Sequence, residues 1–292
     1  MGTHVSIAVE EQSIAEVLPR PAGLRRRRRY FEIQAPLPGN VTILFGAMAV
    51  ATFFGVWELA DALHLVNEVL LPPPSKVLAS LVELFTSTNY LHDIGTSLYR
   101  IMVSFAAACV VALPLGILMG SFSIVAAALN PLVSAARYLP APSFIPVLLM
   151  LLGATDAEKL ALLFLGVVWF LITMIMDVTQ SVPRELIDTG RTLGAGRWQI
   201  LSTVIIPSSL PGIVTAMRQM LAVSWTYLVI AEIVAADGGI GAMMMRAQRY
   251  VHIDQVMAGI VTIGILGVVS DVLVRAAHRL AFSYLYLGER ER

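Results

Sequence analysis

The longest stretch of this chain without a charged side chain is residues 101–136, IMVSFAAACVVALPLGILMGSFSIVAAALNPLVSAA. A helix needs roughly 20 apolar residues to cross the hydrocarbon core of a bilayer, so the stretch is long enough for one span and most of another. The turn-forming residues Gly120-Ser121-Phe122-Ser123 interrupt it. The stretch therefore predicts two neighbouring membrane spans that are joined by a short turn.

The composition of the whole chain agrees with a membrane location. Hydrophobic residues make up 57% of the 292 residues and charged residues 14%, and the mean hydropathy is +0.77. Because a soluble domain typically carries about 25% charged residues, most of this chain is expected to avoid water. The predicted fold class is therefore an all-α integral membrane protein.

Six transmembrane helices are predicted from the apolar runs. They are Val41–Leu59, Ile94–Met119, Ile124–Leu152, Leu160–Asp177, Pro211–Ile233 and Val256–Val274. Cytoplasmic loops of membrane proteins carry an excess of arginine and lysine. The run Arg25–Arg29 lies just before the first span, and the distribution of arginines predicts that both termini are cytoplasmic. The run is expected to bind anionic lipid and not nucleic acid, because a membrane span follows it.

Three regions follow from this pattern. Residues 1–38 are predicted to be a flexible cytoplasmic tail, residues 39–282 a transmembrane domain, and residues 283–292 a cytoplasmic C-terminal tail. Within the transmembrane domain, Leu71-Pro72-Pro73-Pro74 cannot be helical through its prolines. The residues after it predict an amphipathic helix on the membrane surface, capped by Ser75. Its apolar face is predicted to consist of Val77, Leu78, Leu81, Val82 and Phe85.

The sequence lacks the common signatures of a metal site, a hydrolase or an ATPase. The histidines show no HExxH spacing, no serine lies in a GxSxG motif, and the single cysteine, Cys109, has no partner for an intramolecular disulfide. A nucleotide-binding P-loop needs a lysine directly after a glycine. The only two lysines follow other residues: Lys76 follows Ser75 and Lys159 follows Glu158. No metal, cofactor or enzyme activity is expected in this chain.

The most specific feature is the long loop between the fourth and fifth spans, at about residues 178–210. Pro183 favours the start of a short helix in it, and Glu185 and Asp188 lie where a helix N-terminus favours negative charge. Gly194 and Gly196 can end that helix in a left-handed conformation. The length, the glycines and the projecting charges favour a docking element over an ordinary surface loop.

The spacing in this loop resembles the EAA loop of the permeases of ABC importers. That motif is Glu-Ala-Ala, three residues, Gly, nine residues, Ile, one residue and Leu-Pro. The corresponding residues here are Asp188-Thr189-Gly190, Gly194, Val204 and Ile206-Pro207. The glycine and the proline match, whereas aspartate replaces glutamate and Thr189-Gly190 replace the alanines. Two neighbouring segments resemble the nitrate, sulfonate, taurine and bicarbonate branch, namely Arg191-Thr192-Leu193-Gly194-Ala195 and Arg197-Trp198-Gln199.

The resemblance implies a type I ABC importer permease fold in which this loop is the coupling helix. It would dock on a separate ABC-type ATPase chain that carries the ATP and Mg. The residues assigned to this coupling are Glu185, Asp188, Thr189, Gly190, Arg191, Leu193, Gly194, Ala195 and Arg197, with Pro207 fixing the exit of the loop. The implied partners are two ATPase copies, a second copy of this chain and an extracytoplasmic solute-binding protein. The implied location is the bacterial cytoplasmic (inner) membrane.

One glycine pair bears on the expected homodimer. Gly116 and Gly120 are separated by three residues, and this spacing lets a neighbouring helix approach closely. The neighbour could belong to the same chain or to a second copy. Packing within the chain is the favoured interpretation.

Charged residues inside the spans are the second functional lead, because they are costly in a membrane and tend to face a cavity or a partner. Arg137 lies in the third span beside Tyr138 and the helix-breaking Pro140. Broken helices at membrane depth are tolerated where they line a cavity. Arg137 is therefore expected either to assist the passage of an anion or to form a structural contact.

The fifth span supplies three further candidates for a translocation pathway, Ser224, Trp225 and Glu232. Glu232 lies near the predicted outer end of its span. A gate or an ion pair fits this carboxylate as well as a substrate contact does, because an anion pathway is not expected to need it.

The predicted function is translocation of a small, anionic solute by alternating access, driven by ATP hydrolysis on another chain. Nitrate, bicarbonate, a sulfonate and taurine all fit the resemblance, and the sequence does not choose among them. The alternative is an ATP-independent secondary transporter or channel. Such a protein usually has internal repeats and coupling-ion sites within the membrane, and no convincing repeat is found here.

Overall fold

The structure, a computed structural model, describes residues 39–87, 89–234 and 238–285. These residues form helices and no strand, so the predicted all-α class is confirmed. The helices are α1 (Gly39–Ala62), α2 (Pro74–Ser87), α3 (Tyr90–Ser121), α4 (Ser123–Arg137), α5 (Ile145–Leu152), α6 (Asp156–Gln180), α7 (Arg184–Thr192), α8 (Arg197–Val234), α9 (Ile240–Arg249) and α10 (Ile253–Ala281). Helices α2–α10 belong to one compact unit that begins at Val56. The predicted tail at residues 1–38 lies outside the described residues, as does most of the predicted C-terminal tail.

Five of the described helices are long and apolar enough to cross a membrane, namely α1, α3, α6, α8 and α10. The segments Ser123–Arg137 and Ala141–Leu152 pass the same test as a pair. Counting that pair as one span gives the six spans that the sequence predicts.

The third span is bent by 85° between α4 and α5. The chain turns there through the short 3-10 helix Ala141–Phe144. Three prolines explain the bend, because proline has no amide hydrogen and disfavours a helical conformation in the residue before it. They are Pro140, Pro142 and Pro146. The break at these prolines was predicted from the sequence and is confirmed.

Helices α3 and α6 pack against each other so closely that two glycines are needed between them. A methyl group on Gly116 would lie 2.7 Å from the Ile175 side chain, and one on Gly120 would lie 2.5 Å from Thr179. The glycine pair therefore lets two helices of the same chain approach, which is the favoured interpretation of the sequence. The core around this contact is formed by small and branched apolar residues such as Ala112.

Helix α2 forms where the amphipathic pattern predicts it, but its apolar residues differ in burial. Val77 is buried in a cluster that includes Ala258 of α10 and Ile240 of α9, whereas other apolar residues of the helix are exposed. The exposed apolar residues are Leu78, Val82 and Phe85. The five residues of the predicted face share one side of the helix, within an arc of about 140° at 3.6 residues per turn, and the edge of that side at Val77 faces the core while the opposite edge is exposed.

The predicted capping role of Ser75 is also corrected. Helix α2 begins one residue earlier, at Pro74, which suits the first turn of a helix because its missing amide hydrogen is not needed there. The Ser75 hydroxyl instead donates to the Glu58 carboxylate at 2.7 Å, and the Ser75 amide donates to the same carboxylate at 3.2 Å. Glu58, and not Ser75, is therefore the group that caps α2.

Helix α6 connects the two ends of the compact unit. It runs from Asp156 to Gln180, which is about 37 Å at 1.5 Å per residue. The loop that carries α7 follows its C-terminal end. A set of charged side chains from α3, α6 and α8 meets at its N-terminal end. These two ends hold the candidate sites.

Candidate functional site

The charged helix predicted in the loop between α6 and α8 is present as α7. It begins directly after Pro183, and Glu185 lies in its first turn. In its last turn the Arg191 guanidinium lies 3.1 Å from the Asp188 carboxylate, and both side chains are about two-thirds exposed. Glu185 and Arg191 lie where the helix dipole favours their charges, whereas Arg184, the first residue of α7, does not.

Gly194 ends α7 in the predicted left-handed conformation, with φ of +79°. The Gly194 amide donates to the Arg191 carbonyl at 2.9 Å, and the Ala195 amide donates to the Gly190 carbonyl at 3.0 Å. These bonds satisfy carbonyl groups that the helix end leaves free. Gly196 does not share this role, because its φ of −71° is open to any residue. The prediction that both glycines are left-handed is thus right for Gly194 and wrong for Gly196.

One side of this loop exposes large apolar side chains together with its charges. Leu193 is 82% exposed, Trp198 70% and Leu186 45%, and α7 has no buried residue. Apolar groups that protrude among charged ones are typical of a surface that binds another protein. The coupling residues predicted from the sequence, from Glu185 to Arg197, lie in this exposed segment.

The other side of the loop packs on the membrane helices. Ile187 of α7 contacts a buried cluster that includes Val182 and the start of α8 at Ile200. The Trp198 ring lies 5.6 Å from the Phe122 ring, which belongs to the turn between α3 and α4. Ile187 therefore joins α7 to the start of α8, and Ile117 of α3 and Phe122 pack on the same buried cluster.

Pro207 lies just after a widened turn in α8. Residues Leu201–Ile205 form a π-turn, in which the backbone bonds reach one residue further than in an α-helix. Proline lacks the amide hydrogen and its ring would clash with the carbonyl of Thr203, four residues earlier, in a regular helix. The π-turn relieves that conflict. The predicted role of Pro207 in fixing the exit of the loop is consistent with this local geometry and stays a prediction.

The candidates for a translocation pathway fall into two places. Arg137 and Tyr138 lie at the bend that contains Pro140, where the guanidinium carbon is 5.5 Å from the centre of the tyrosine ring. Tyr138 is 78% exposed. Ser224 and Trp225 are instead buried within α8.

The buried pair makes mostly apolar contacts. The Ser224 hydroxyl donates to the Met220 carbonyl at 3.0 Å. Trp225 packs in a cluster that also contains Ala141, the first residue after Pro140. The bend and α8 therefore contribute to the same buried cluster, through Ala141 and Trp225. A pathway role for these residues stays a prediction.

Glu232 is the centre of a polar cluster at the N-terminal end of α6. Its carboxylate is fully buried, and it accepts hydrogen bonds from the Ser97 hydroxyl at 2.8 Å, the Arg100 guanidinium at 2.8 Å and the Gly241 amide at 2.8 Å. Arg100 also donates to Asp156 at 2.6 Å. Of the roles considered from the sequence, the ion pair is the one that these contacts support.

The same cluster holds the backbone of the loop before α9. Arg100 donates to the Gly238 carbonyl at 2.6 Å, and the Gly239 amide donates to Asp93 at 2.9 Å. Gly239 has φ of +101°, and a methyl group on it would lie 2.2 Å from the Glu232 carboxylate. The glycine turn that the sequence contains is therefore fitted closely onto the buried ion pair.

Sequence reasoning missed the α3 half of this cluster. Asp93, Ser97 and Arg100 have a spacing of four and three residues, which puts them on one face of a helix. Polar residues repeated at helical spacing in a membrane helix indicate an internal polar contact. That signal is present in the sequence, but the candidates chosen from it included only Glu232 of this cluster.

Comparison with known proteins identifies the family. Residues 112–281 match the family described as the binding-protein-dependent transport system inner membrane component. The chain belongs to this family. It is an ABC importer permease of the taurine, sulfonate and nitrate type, as its relatives show.

Three relatives illustrate the range of named cargoes. The permease is 32% identical to the taurine transport system permease protein TauC of Escherichia coli, over 84% of this chain and 90% of that protein. It is 27% identical to a putative aliphatic sulfonates transport permease protein of Bacillus subtilis, over 80% of this chain and 85% of that protein. The nitrate import permease protein NrtB of Synechocystis is also 27% identical, over 86% of this chain and 92% of that protein.

Solved structures confirm the predicted importer permease fold. An inward-facing structure of the MetNI methionine ABC transporter matches with a TM-score of 0.54 and 23% identity, over 64% of this chain and 94% of that chain. A bacterial ABC transporter involved in the import of alginate matches with a TM-score of 0.52 and 16% identity, over 83% of this chain and 97% of that chain. At these identities the likeness concerns the fold alone.

Proposed function

We propose that this permease moves a small oxyanion, such as a sulfonate or nitrate, into the cell by alternating access that is driven by ATP hydrolysis on a separate ATPase chain. The observation that carries the proposal is the loop around α7, which exposes Leu186 and Leu193 and packs through Ile187 on a buried cluster at the start of α8. A docking surface that is joined to the membrane helices by direct contacts can convert movement of a partner into movement of the spans.

The partners follow from this surface and from the family. One chain offers one α7, so two ATPase subunits need two permease copies, and a homodimer is the simplest assembly. An extracytoplasmic solute-binding protein would deliver the solute on the opposite side. With α7 in the cytoplasm, an even number of spans puts both termini in the cytoplasm as well. ATP and Mg belong to the ATPase in this assembly.

The substrate class rests on the relatives, which are named as permeases for taurine, aliphatic sulfonates and nitrate. These solutes share an oxyanion group. The cytoplasmic (inner) membrane of a bacterium is the proposed location, with residues 39–282 as the permease domain.

Reconstitution tests the coupling directly. The permease, its ATPase and its binding protein are placed in liposomes, and uptake of labelled taurine is measured with internal ATP and with a non-hydrolysable analogue. Uptake that requires hydrolysis supports the proposal. Uptake that is independent of ATP favours the alternative of a secondary transporter or channel.

A substitution directly after α7 tests the docking surface itself. Leu193→Asp puts a charge on an apolar side chain that is 82% exposed, and we expect it to reduce copurification of the ATPase and to stop ATP-driven uptake. Leu70→Asp is the matched control, because Leu70 is 73% exposed and lies before α2, far along the chain from α7. Normal uptake by Leu193→Asp at normal membrane levels would contradict the docking role.

A further inference from the structure

An open cavity of about 790 Å³ lies beside the polar cluster at the N-terminal end of α6. Helix α3 lines one side of it with residues that include His92 and Thr96, and the start of α6 lines the other side with Thr155, Asp156 and Lys159. Ligand sites typically have volumes of roughly 300–1,000 Å³. The cavity is therefore large enough for a small solute with several water molecules.

Lys159 is the residue of this cavity with the most unused hydrogen-bonding capacity. It is 1% exposed, and among the described residues its ammonium group makes one hydrogen bond, a long one of 3.4 Å to the Thr155 carbonyl. An ammonium group has three donors, and a buried charge is costly unless it is paired. An anion in the cavity would supply the missing acceptors.

The start of α6 adds to the positive character of the same wall. Thr155 precedes the helix but does not cap it, because its hydroxyl donates backwards to the Leu152 carbonyl at 3.0 Å. The first amide groups of this 25-residue helix thus have no side-chain cap, and a helix N-terminus attracts anions. Arg100 lines the cavity as well.

Two carboxylates oppose these positive groups. Asp156 lines the cavity, and Arg100 offsets its charge through two hydrogen bonds to one oxygen, at 2.9 Å and 2.6 Å. Glu158 is fully buried, and its oxygens accept no hydrogen bond from the described residues. Neither carboxylate accepts a hydrogen bond from Lys159 among the described residues, so the remaining donors of its ammonium group stay available to a ligand.

We propose that this cavity binds the oxyanion group of the transported solute, a sulfonate or nitrate, through the Lys159 ammonium and the N-terminus of α6. The substrate class rests on the proposed function, but the site does not, because binding can be measured without ATP. The site lies at the end of α6 opposite α7. In the proposed orientation it would receive the solute from outside the cell.

Equilibrium binding tests the site in the intact assembly. The permease and its ATPase are purified together in lipid nanodiscs, without nucleotide and without the binding protein, and the binding of ³⁵S-labelled methanesulfonate is measured. Lys159→Gln removes the charge and is expected to raise Kd by roughly tenfold or more, since a charge-assisted hydrogen bond is lost. Lys159→Arg keeps the charge and is expected to bind within a few-fold of the original.

The chain supplies a matched control and a variant of opposite sign. Lys76, the other of the two lysines, is about half exposed and is paired with Glu68 at 2.9 Å, so Lys76→Gln should leave Kd unchanged. Asp156→Asn removes the opposing carboxylate and should lower Kd several-fold. A gain in affinity cannot come from misfolding, and it supports the site independently of the Lys159 variants.

Competition experiments show whether the site accepts both sulfonate and nitrate or sulfonate alone. Displacement of the label by both unlabelled methanesulfonate and nitrate identifies the shared oxyanion chemistry, and displacement by methanesulfonate alone identifies a sulfonate site. Ethanolamine, which has a cationic group and no anionic group, should not compete. An unchanged Kd in a folded Lys159→Gln complex overturns the proposal, as does displacement by ethanolamine or the absence of binding to the unsubstituted complex. ATP-driven uptake that survives any of these results leaves the proposed function standing and rejects only the site.

Discussion

At the N-terminal end of α6 the Arg100–Glu232 ion pair is buried and held by several hydrogen bonds, whereas at the C-terminal end the Asp188–Arg191 pair of α7 is exposed to solvent. Removing one partner of a buried ion pair strongly destabilises a protein. An exposed ion pair contributes little to stability. The comparison assigns different tasks to the two ends. The buried end fixes the fold, and the exposed end is free to bind a partner.

The largest effect is expected from Glu232→Ala. It leaves the Arg100 charge without its buried partner and removes the acceptor of the Ser97 hydroxyl and the Gly241 amide. We expect the free energy of unfolding to fall by about 3–5 kcal/mol. Thermal unfolding of the purified permease in detergent measures this change. Asp188→Ala, which breaks the exposed pair, is the control, and equal losses in the two variants would refute the contrast between the ends.

Gly239→Ala should have the second largest effect. The methyl group would collide with the Glu232 carboxylate, and the φ of +101° is strained for any residue with a side chain. A loss of about 2–3 kcal/mol is expected from the combined strain and displacement. Gly238→Ala is the matched control in the same turn, because a methyl group there comes no closer than 4.0 Å to Asp93. Circular dichroism during heating of both variants provides the measurement. If the two variants unfold at the same temperature, Gly239 is not needed for the close fit to the Glu232 carboxylate.

The sequence predicts the structure of the exposed loop around α7 better than that of the buried polar cluster around Glu232. The limits of α7, its charge pattern and the left-handed Gly194 are local properties, set by residues within a few positions of each other. Proline at the start and glycine at the end are enough to predict such a helix. The bend between α4 and α5 was predicted for the same reason, because the prolines that cause it are adjacent in the chain.

The polar cluster depends instead on contacts between distant parts of the chain. Ser97 and Glu232 are 135 positions apart, and Gly239 and Asp93 are 146 apart. A single sequence shows which residues are charged, but it does not show which helices are neighbours. The burial of Val77 within the apolar face of α2 was not predicted for a related reason, since an apolar side chain has the same sequence signal whether it is exposed or packed in the core. Glu232 was singled out only because a carboxylate in a membrane span is costly.

Gly194→Val tests the exposed end with a smaller effect on stability. The space around Gly194 is open, so the cost is only that of a left-handed backbone, about 1–2 kcal/mol. ATP-driven uptake should nevertheless be lost, because the backbone relieves this strain by leaving the left-handed conformation, which redirects the chain after α7. Gly196→Val is the matched control, since that glycine also has open space but φ of −71°. Uptake and membrane levels of both variants are compared, and normal uptake by Gly194→Val would show that the shape of the loop is not needed for coupling.

Asp188→Asn is expected to change stability least, by less than about 0.5 kcal/mol, because both members of its ion pair are largely exposed. Its effect should appear only in the assembly. If α7 docks on the ATPase through its charges, the variant should release the ATPase a few-fold faster, and added salt should weaken the original complex while affecting the variant less, since exposed charges are screened. Surface plasmon resonance of the nanodisc-embedded permease with the ATPase, at low and high salt, measures both quantities. The same salt dependence in the variant and the original would mean that docking rests on the apolar side chains of the loop, and the exposed end would then act through Leu193 and Trp198 instead of its charges.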